Sequence, residues 1–526
     1  MNRDFDITVP AGLTSEVPTF NWLHGYEITE ELLAKCSALY SKHYGLWSEH
    51  DPQKRIGNIK LSVSRIKKWV ESKNAKIAYC ENKDCELLGY AFCIQENITN
   101  IGYISWVTQL VVHKDYRNKD IAKRMLFYIW NFADHKCWGL LTANPYAVRA
   151  LEKATRRRVY PARIQKNAEE VFAFGKENVS YLEDVTPPIV NNEASKINTK
   201  FFVNHSDVPE MMSKSSKDEA WLLGSLEEGW EWFAFTFSDQ NTIPLSEKDI
   251  AEMLKISDQI TQRAYSKMQF DSHKWAGKTD YEIDYIFKKI KVNSTDKILD
   301  VGCATGRHTA RLTELGYKAY GIDYSQKLID MAKKKYPDIS FNVADFRNEK
   351  DTKDIGKFDL ILLLYDVFGS FVSTEDDGKM IKQVYSHLNS NGFAVISVMN
   401  LQYILAKGVK SFSFKNEPDK IYEIPLSDAM SKTGEVFNVN NILLDAEEKI
   451  VYRREIFRDA KNPSQIPEEL LVRDRRYLKA EIENMFKSHF EIVESKYVRV
   501  GDWESCGESD DCKEILLIIR KSLLEQ

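Results

Sequence analysis

The chain lacks a positively charged start followed by an apolar run, and it has no apolar stretch of about 18 residues or more, the length that a membrane helix needs. Neither export nor a membrane span is expected, and the expected location is cytoplasmic. Surplus positive charge is also missing: 73 lysines and arginines stand against 78 acids, a formal net charge of −5. Without a global attraction to phosphate backbones, nucleic acid is not an expected partner. The 8 cysteines are scattered. Neither Cys80 with Cys85 nor Cys506 with Cys512 has the partner pairs or histidines of a zinc site, so no metal is expected. Reduced thiols are expected throughout, with Cys506 and Cys512 on an acidic surface loop or, alternatively, as a redox pair. No internal repeat is evident.

What is present is ordinary for a globular protein, 43% hydrophobic and 29% charged residues. A length of 526 residues exceeds the roughly 250 to 300 at which single cores divide, so at least two domains are expected. The best boundary is the polar break at 238–244, after the aromatic strand that ends at Phe237. It divides the chain into residues 1–240 and 245–526.

The most informative segment is 297–309. An apolar strand carrying Asp300 runs into a turn with Gly302, Cys303 and Gly306 and then into a helix, and Asp323 closes the following strand. The glycines let the backbone turn tightly and approach a ligand, and a terminal acid can accept both hydrogen bonds of a ribose diol. A dinucleotide site wants G-x-G-x-x-G, which this spacing is not. The segment resembles motif I of class I S-adenosylmethionine (SAM) dependent methyltransferases, D-x-G-x-G-x-G, with Ala304 for the middle glycine. Segments 340–346, 357–370 and 391–398 resemble the third, fourth and fifth strands of that family, with a helix at 377–388 before the last. The resemblance implies SAM as cofactor, held by Asp300, Gly302, Cys303, Gly306, Asp323, Tyr324, Asp345, Phe346 and Leu364.

The same resemblance puts Tyr365 and Asp366, just after the fourth strand, at the methyl-acceptor site as the catalytic candidates. Amino-methyltransferases of DNA and RNA place [D/N]-P-P-[Y/F] there. Asp366-Val367-Phe368 has no proline pair, so a small-molecule acceptor is expected. Strands at 436–444 and 449–457 read as a hairpin roof over that pocket, followed by a helix at 480–488 and strands at 490–500 and 515–520. A helical lead-in through Tyr265 to 285 covers the cofactor from the other side.

In the first half, the alternating strand 101–112 meets a cationic turn and a helix reaching about residue 135. Free N–H groups at a helix start with Arg117, Lys119 and Lys123 suit a pyrophosphate or, equally, make a solvated basic helix start. The stretch is similar to motif A of GNAT family N-acetyltransferases, V-x-P-x-Y-R-x-x-G-x-G/A. That implies acetyl-CoA or another acyl-CoA bound by Leu110, Val112, Arg117, Asn118, Lys119, Ile121, Ala122 and Lys123, and by Asn144 in the next element. Three positions depart from the family. Asp120 replaces the first loop glycine, Gln109 stands where a glutamate base is usual, and Leu151 stands where a tyrosine acid is usual, with Tyr146 and His113 as candidate substitutes. Helices at 28–50 and 61–71, strands at 75–79 and 86–95, an enlarged connection at 155–199 and closing strands at 200–204 and 230–237 complete this half. The run Arg156, Arg157, Arg158 with Lys153, Arg163 and Lys166 reads either as a site for an acidic ligand or as a solvated helix end.

The expected protein is thus α/β, with an N-terminal GNAT-like mixed sheet and a C-terminal Rossmann-like doubly wound sheet bearing a hairpin insertion. The expected function is a bifunctional transferase acting on a small molecule. The alternatives are a methyltransferase with a silent GNAT-like module and an RNA- or protein-modifying enzyme.

Overall fold

The computed structural model describes residues 18–72, 74–130, 135–216, 220–265, 274–429, 438–457 and 468–521. The described residues fall into two compact units, one up to Ile256 and one from Ser257 onward. The helix Glu247–Tyr265 runs across the division.

The first unit is built on one mixed sheet. Its strands are β1 (Thr19–His24), β2 (Ala75–Glu81), β3 (Leu87–Ile98), β4 (Gly102–Val112), β5 (Cys137–Thr142), β6 (Ile189–Asn191), β7 (Ala194–Phe201) and β8 (Gly229–Phe237). Their order is β1-β2-β3-β4-β5-β8-β7-β6, and only β4 with β5 is parallel. That pair is registered from Ile104 with Cys137 to Val107 with Leu140 and no further. Beyond it the two strands part. The edge strand β1 was not expected, and the strand expected at 200–204 lies earlier, at Ala194–Phe201. Ser195 and Ile197 turn inward there with no exposed surface, an alternation that the polar residues between them obscure. Within the connection expected at 155–199, Ile189–Asn191 forms β6.

The second unit has the strands β9 (Lys297–Val301), β10 (Lys318–Asp323), β11 (Ser340–Val343), β12 (Phe358–Leu363), β13 (Leu388–Met399), β14 (Ser411–Phe412), β15 (Ile442–Asp445), β16 (Ile450–Phe457), β17 (Glu468–Arg475), β18 (Phe490–Arg499), β19 (Asp502–Cys506) and β20 (Glu514–Lys521). The main sheet has the order β11-β10-β9-β12-β13-β20-β18-β19. Its first five members are parallel and β20 is antiparallel to both neighbours. Central strands buried on both faces read as continuous apolar runs. Here Leu299, Ile361, Leu363, Ile396 and Leu517 face one core, with Ile482 and Phe486 of the helix Lys479–Lys487. Ile298, Leu360, Leu362, Val395 and Leu516 face the other, with Ile283 and Ile286 of the helix Thr279–Lys289.

Strands β10 and β11 lie on one side of β9, and β12 and β13 on the other. The chain therefore reverses direction between β9 and β12, and a doubly wound sheet opens its ligand crevice at the C-terminal ends of such a pair. The expected hairpin is present as β15 and β16, within a second sheet of order β14-β15-β16-β17. Residues 436 and 437 of the hairpin lie outside the described residues, as does the side chain of Tyr265.

Candidate active site

At the end of β9, Gly302 has φ +68° and Gly306 φ +84°, conformations that L side chains rarely adopt. A Cβ on Gly302 would come within 2.5 Å of Val367 Cγ2, and one on Gly306 within 2.5 Å of Phe341 Cζ. Ala304, in place of the family's middle glycine, keeps the glycine-like backbone at φ +48°. The substitution therefore preserves the turn, at a local cost of roughly 1–2 kcal/mol. Asp323 secures the same turn. Its Oδ2 accepts the Ala304 N–H at 3.1 Å and its Oδ1 the Ser325 N–H at 2.9 Å, which leaves lone pairs on both oxygens. Burial raises its carboxyl above the ordinary value while these N–H groups pull it back. Asp300 is buried and accepts the Thr309 hydroxyl at 2.7 Å, and Cys303 is a buried thiol. A cradle with two glycines, no room for a Cβ and a half-used carboxylate fits an adenosyl ribose.

Further along, Tyr324 packs edge-on to Phe371 with ring centres 5.9 Å apart. Asp345 is held by Arg347, which donates from Nε at 3.0 Å and from Nη2 at 2.8 Å. Burial alone would raise the Asp345 carboxyl, but the Arg347 hydrogen bonds and charge outweigh it and hold the group low. The same guanidinium lies 3.5 Å over the Phe371 ring. Phe346 and Leu364 are buried in the core. Arg347 and Phe371 are not among the cofactor residues that the resemblance implies, although Arg347 stands only two residues after Asp345.

Tyr365 and Asp366, at the C-terminal end of β12, both have left-handed backbones, φ +59° and +64°. Two such non-glycine residues in succession are strained, and strain of this kind gathers at working sites. They face different partners. The Tyr365 hydroxyl donates to Glu282, which is fully buried and also contacts Arg307 at 3.1 Å and His308 at 2.7 Å. Asp366 lies among Arg476, Asp474 and Arg453 and is pushed up to about 7, mainly by burial and further by Asp474, against the two arginines. Its side chain is only partly exposed. Next to it on β20, Glu514 is 1% exposed and is pushed up to about 8, by burial first and then by Asp366 and Glu282. Glu282, Asp474, Arg476 and Glu514 all escaped the sequence reading. Arg307 and His308 directly follow the glycine turn and could have been found there.

In the first unit, Asn118 and Asp120 adopt φ +60° and +58°, so the loop keeps a glycine-like path without the glycine. Its cations are engaged. Lys123 donates to Asp249 at 2.7 Å and lies 3.6 Å from Asp120, and Arg124 donates to Glu252 at 2.8 Å. Arg117 donates to the carbonyls of Val112 and His43, and Lys119 lies over the Tyr116 ring. Leu110 and Val112 stand on β4, Ile121 and Ala122 begin the helix Ile121–Trp130, and Asn144 accepts the Tyr146 N–H as a helix cap. Gln109 is buried and accepts the Tyr90 hydroxyl at 2.8 Å, and Leu151 is wholly buried. His113 lies against His43 with ring centres 3.8 Å apart. The arginine run is structural: Arg156 donates to Ile243 O, Arg157 to Thr155 O and Ser238 O, and Arg158 to Glu152. Cys512, expected on a surface loop, is buried, and the side chain of Cys506 lies outside the described residues.

Comparison with known proteins adds a family to this geometry. A family described as a methyltransferase domain matches residues 298–392, from β9 into β13. The glycine/sarcosine N-methyltransferase of Aphanothece halophytica is 28% identical over 142 residues, 26% of this chain and 53% of that protein. The ubiquinone biosynthesis O-methyltransferase of Pelagibacter ubique is 33% identical over 144 residues, 26% of this chain and 55% of that one. The chain thus spans about half the length of these curated relatives. A crystal structure of a SAM-dependent methyltransferase from Clostridium acetobutylicum is 17% identical, with a TM-score of 0.35 over 50% of this chain and 98% of that one.

Proposed function

With a methyltransferase domain at residues 298–392 as the premise, we propose that the protein transfers a methyl group from SAM to an amine of a small molecule. The observation that carries this reading is the contact of the Asp366 loop with the glycine turn, where Val367 fills the space that a Cβ on Gly302 would need. A carboxyl whose proton affinity lies near neutrality then stands beside the cofactor cradle. SAM supplies an electrophilic methyl on a sulfonium. The chain's residues bind, align and desolvate the partners: Gly302 and Gly306 shape the turn that receives the cofactor, Asp323 holds both turn and ribose, and Asp366 orients the acceptor and takes its proton. The relatives' names, an N-methyltransferase and an O-methyltransferase, agree with a small acceptor.

For the first unit, the strand order, the parting of β4 from β5 and the left-handed loop at Asn118 and Asp120 support a GNAT-like fold. The ion pairs of Lys123 and Arg124 favour the silent form of it. Acids of the same unit hold Lys123 and backbone carbonyls hold Arg117, so on this reading acyl-CoA transfer is not the unit's resting activity.

Isothermal titration with SAM tests the main reading. Removing a charged acceptor costs about 1.5–3 kcal/mol, so Asp323→Ala should weaken SAM binding roughly ten- to a hundredfold. Unchanged affinity in a folded Asp323→Ala protein would remove the cofactor assignment.

A further inference from the structure

We propose that the first unit holds a binding site for a tertiary ammonium ion, centred on Glu231 and walled by Tyr40, Tyr44 and Tyr181. The inference is independent of the methyl-transfer reading, which concerns the other unit.

Glu231 is the one charged residue of the aromatic strand β8. It is 7% exposed and pairs directly with Ile197 of β7. Between Asn198 and Phe201 the register of the two strands shifts, with Lys200 at φ +55°. An irregularity of this kind re-aims a side chain, and here the Thr199 hydroxyl donates to Glu231 Oε2 at 2.8 Å. Among the described residues no cation pairs with the carboxyl. Burial pushes it up to about 7, with the Thr199 bond opposing. Arg65 acts on Tyr40 but is not among the groups that act on Glu231.

The walls come from separate elements. Tyr40 lies in the last turn of the helix Glu30–His43, Tyr44 caps that helix, and Tyr181 stands in the short turn Ser180–Leu182. Tyr40 and Tyr44 stack with ring centres 4.1 Å apart, and Tyr44 leans at 5.9 Å on Phe201, two residues beyond Thr199. Trp69 braces Tyr181 edge-on at 6.1 Å. Burial first, and the Glu231 charge with it, raises all three phenols, so they stay protonated. Tyr44, Tyr181 and Thr199 are partly exposed, and a ligand approaches from their side.

A buried carboxyl without a positive partner is costly in its charged form, and aromatic rings attract a cation that lies within about 6 Å of their faces. Together they call for an organic cation. The acceptors set how many N–H groups it carries. Thr199 already engages Oε2, which leaves Oε1 as the open carboxyl oxygen. A primary ammonium would bury two further N–H groups with only phenol oxygens to accept them, and a quaternary one would leave Oε1 without a donor. A tertiary ammonium donates once to Oε1 and turns its alkyl groups to the rings.

The test titrates 2-dimethylaminoethanol, ethanolamine, choline and the neutral isostere 3,3-dimethylbutan-1-ol into the full chain by calorimetry, without SAM. The tertiary compound should bind, with ethanolamine and choline about tenfold weaker and the neutral alcohol without measurable heat. Glu231→Gln should weaken binding of 2-dimethylaminoethanol about tenfold or more. Tyr44→Leu should weaken it about fivefold, and this partly exposed position carries the test should the buried change prevent folding. The site is overturned if 2-dimethylaminoethanol does not bind, if any of the other three binds as tightly, or if its affinity survives the substitutions in folded protein. None of these results touches the methyl-transfer reading, which the SAM titration decides.

Discussion

Glu514→Gln should make the second unit more stable at high pH and leave it nearly unchanged at low pH. The ordinary glutamate value of 4.5 applies to the unfolded chain, whereas burial beside Asp366 and Glu282 pushes the folded group up to about 8, with Trp503 and Lys513 opposing the rise. At low pH the carboxyl is protonated in both states and costs nothing. As pH rises past 4.5 the unfolded chain releases its proton and the folded chain keeps it, so stability falls until the folded group also ionises near 8. At about 1.4 kcal/mol per pH unit, the three units between pH 5 and 8 amount to roughly 4 kcal/mol, a large share of a domain's stability of about 5–15 kcal/mol. Glutamine keeps the shape and removes the proton release. Urea unfolding followed by circular dichroism, at pH 5 and pH 9 for both proteins, measures the effect as the change in the variant–parent gap. A gap of the same size at both pH values refutes the reasoning.

Ala304→Gly should raise the melting temperature of the second unit and leave SAM affinity intact. A residue at φ +48° carries strain of roughly 1–2 kcal/mol, which glycine removes, against about 0.4–1 kcal/mol of added unfolded-state entropy. A lower melting temperature would show that the turn does not strain this alanine. In the first unit, acetyl-CoA should not bind the parent measurably in calorimetry, and Asp120→Gly alone should leave Lys123 held by Asp249. Asp120→Gly combined with Asp249→Asn should open the cradle, and binding that tightens with the single change alone would contradict the pairing described here.

The glycine turn and Asp323 were legible because their signals are local: an apolar run, two glycines at fixed spacing, then a second apolar run ending in an acid. The parallel strands β9, β12 and β13 were legible for the same reason. Asp366 stood out as the residue after such a strand, but its partners did not. Arg453, Asp474, Arg476 and Glu514 reach it only through the register of β16 with β17 and of β13 with β20, pairings of residues far apart in the chain. Strand β17, which reads as a charged segment, gave no apolar alternation to announce itself. Glu282 sits on a helix whose only visible signal is its periodicity. In the first unit the cationic loop was legible, while the acids that neutralise it lie on the helix Glu247–Tyr265, more than a hundred residues later.

The position of β20 has a consequence for how the protein is made. This strand pairs with β13 on one side and β18 on the other, so the main sheet is joined only once β20 has left the ribosome, after both of its neighbours. Until residues 514–521 emerge, the apolar strand β13 has an open edge, and Ile515, Leu517 and Ile519 are missing from the core. Strands of the first unit, by contrast, are all available by Phe237 and can pair during synthesis. Closure of the main sheet therefore waits for β20, and until then the open edge of β13 is a template for pairing with other chains.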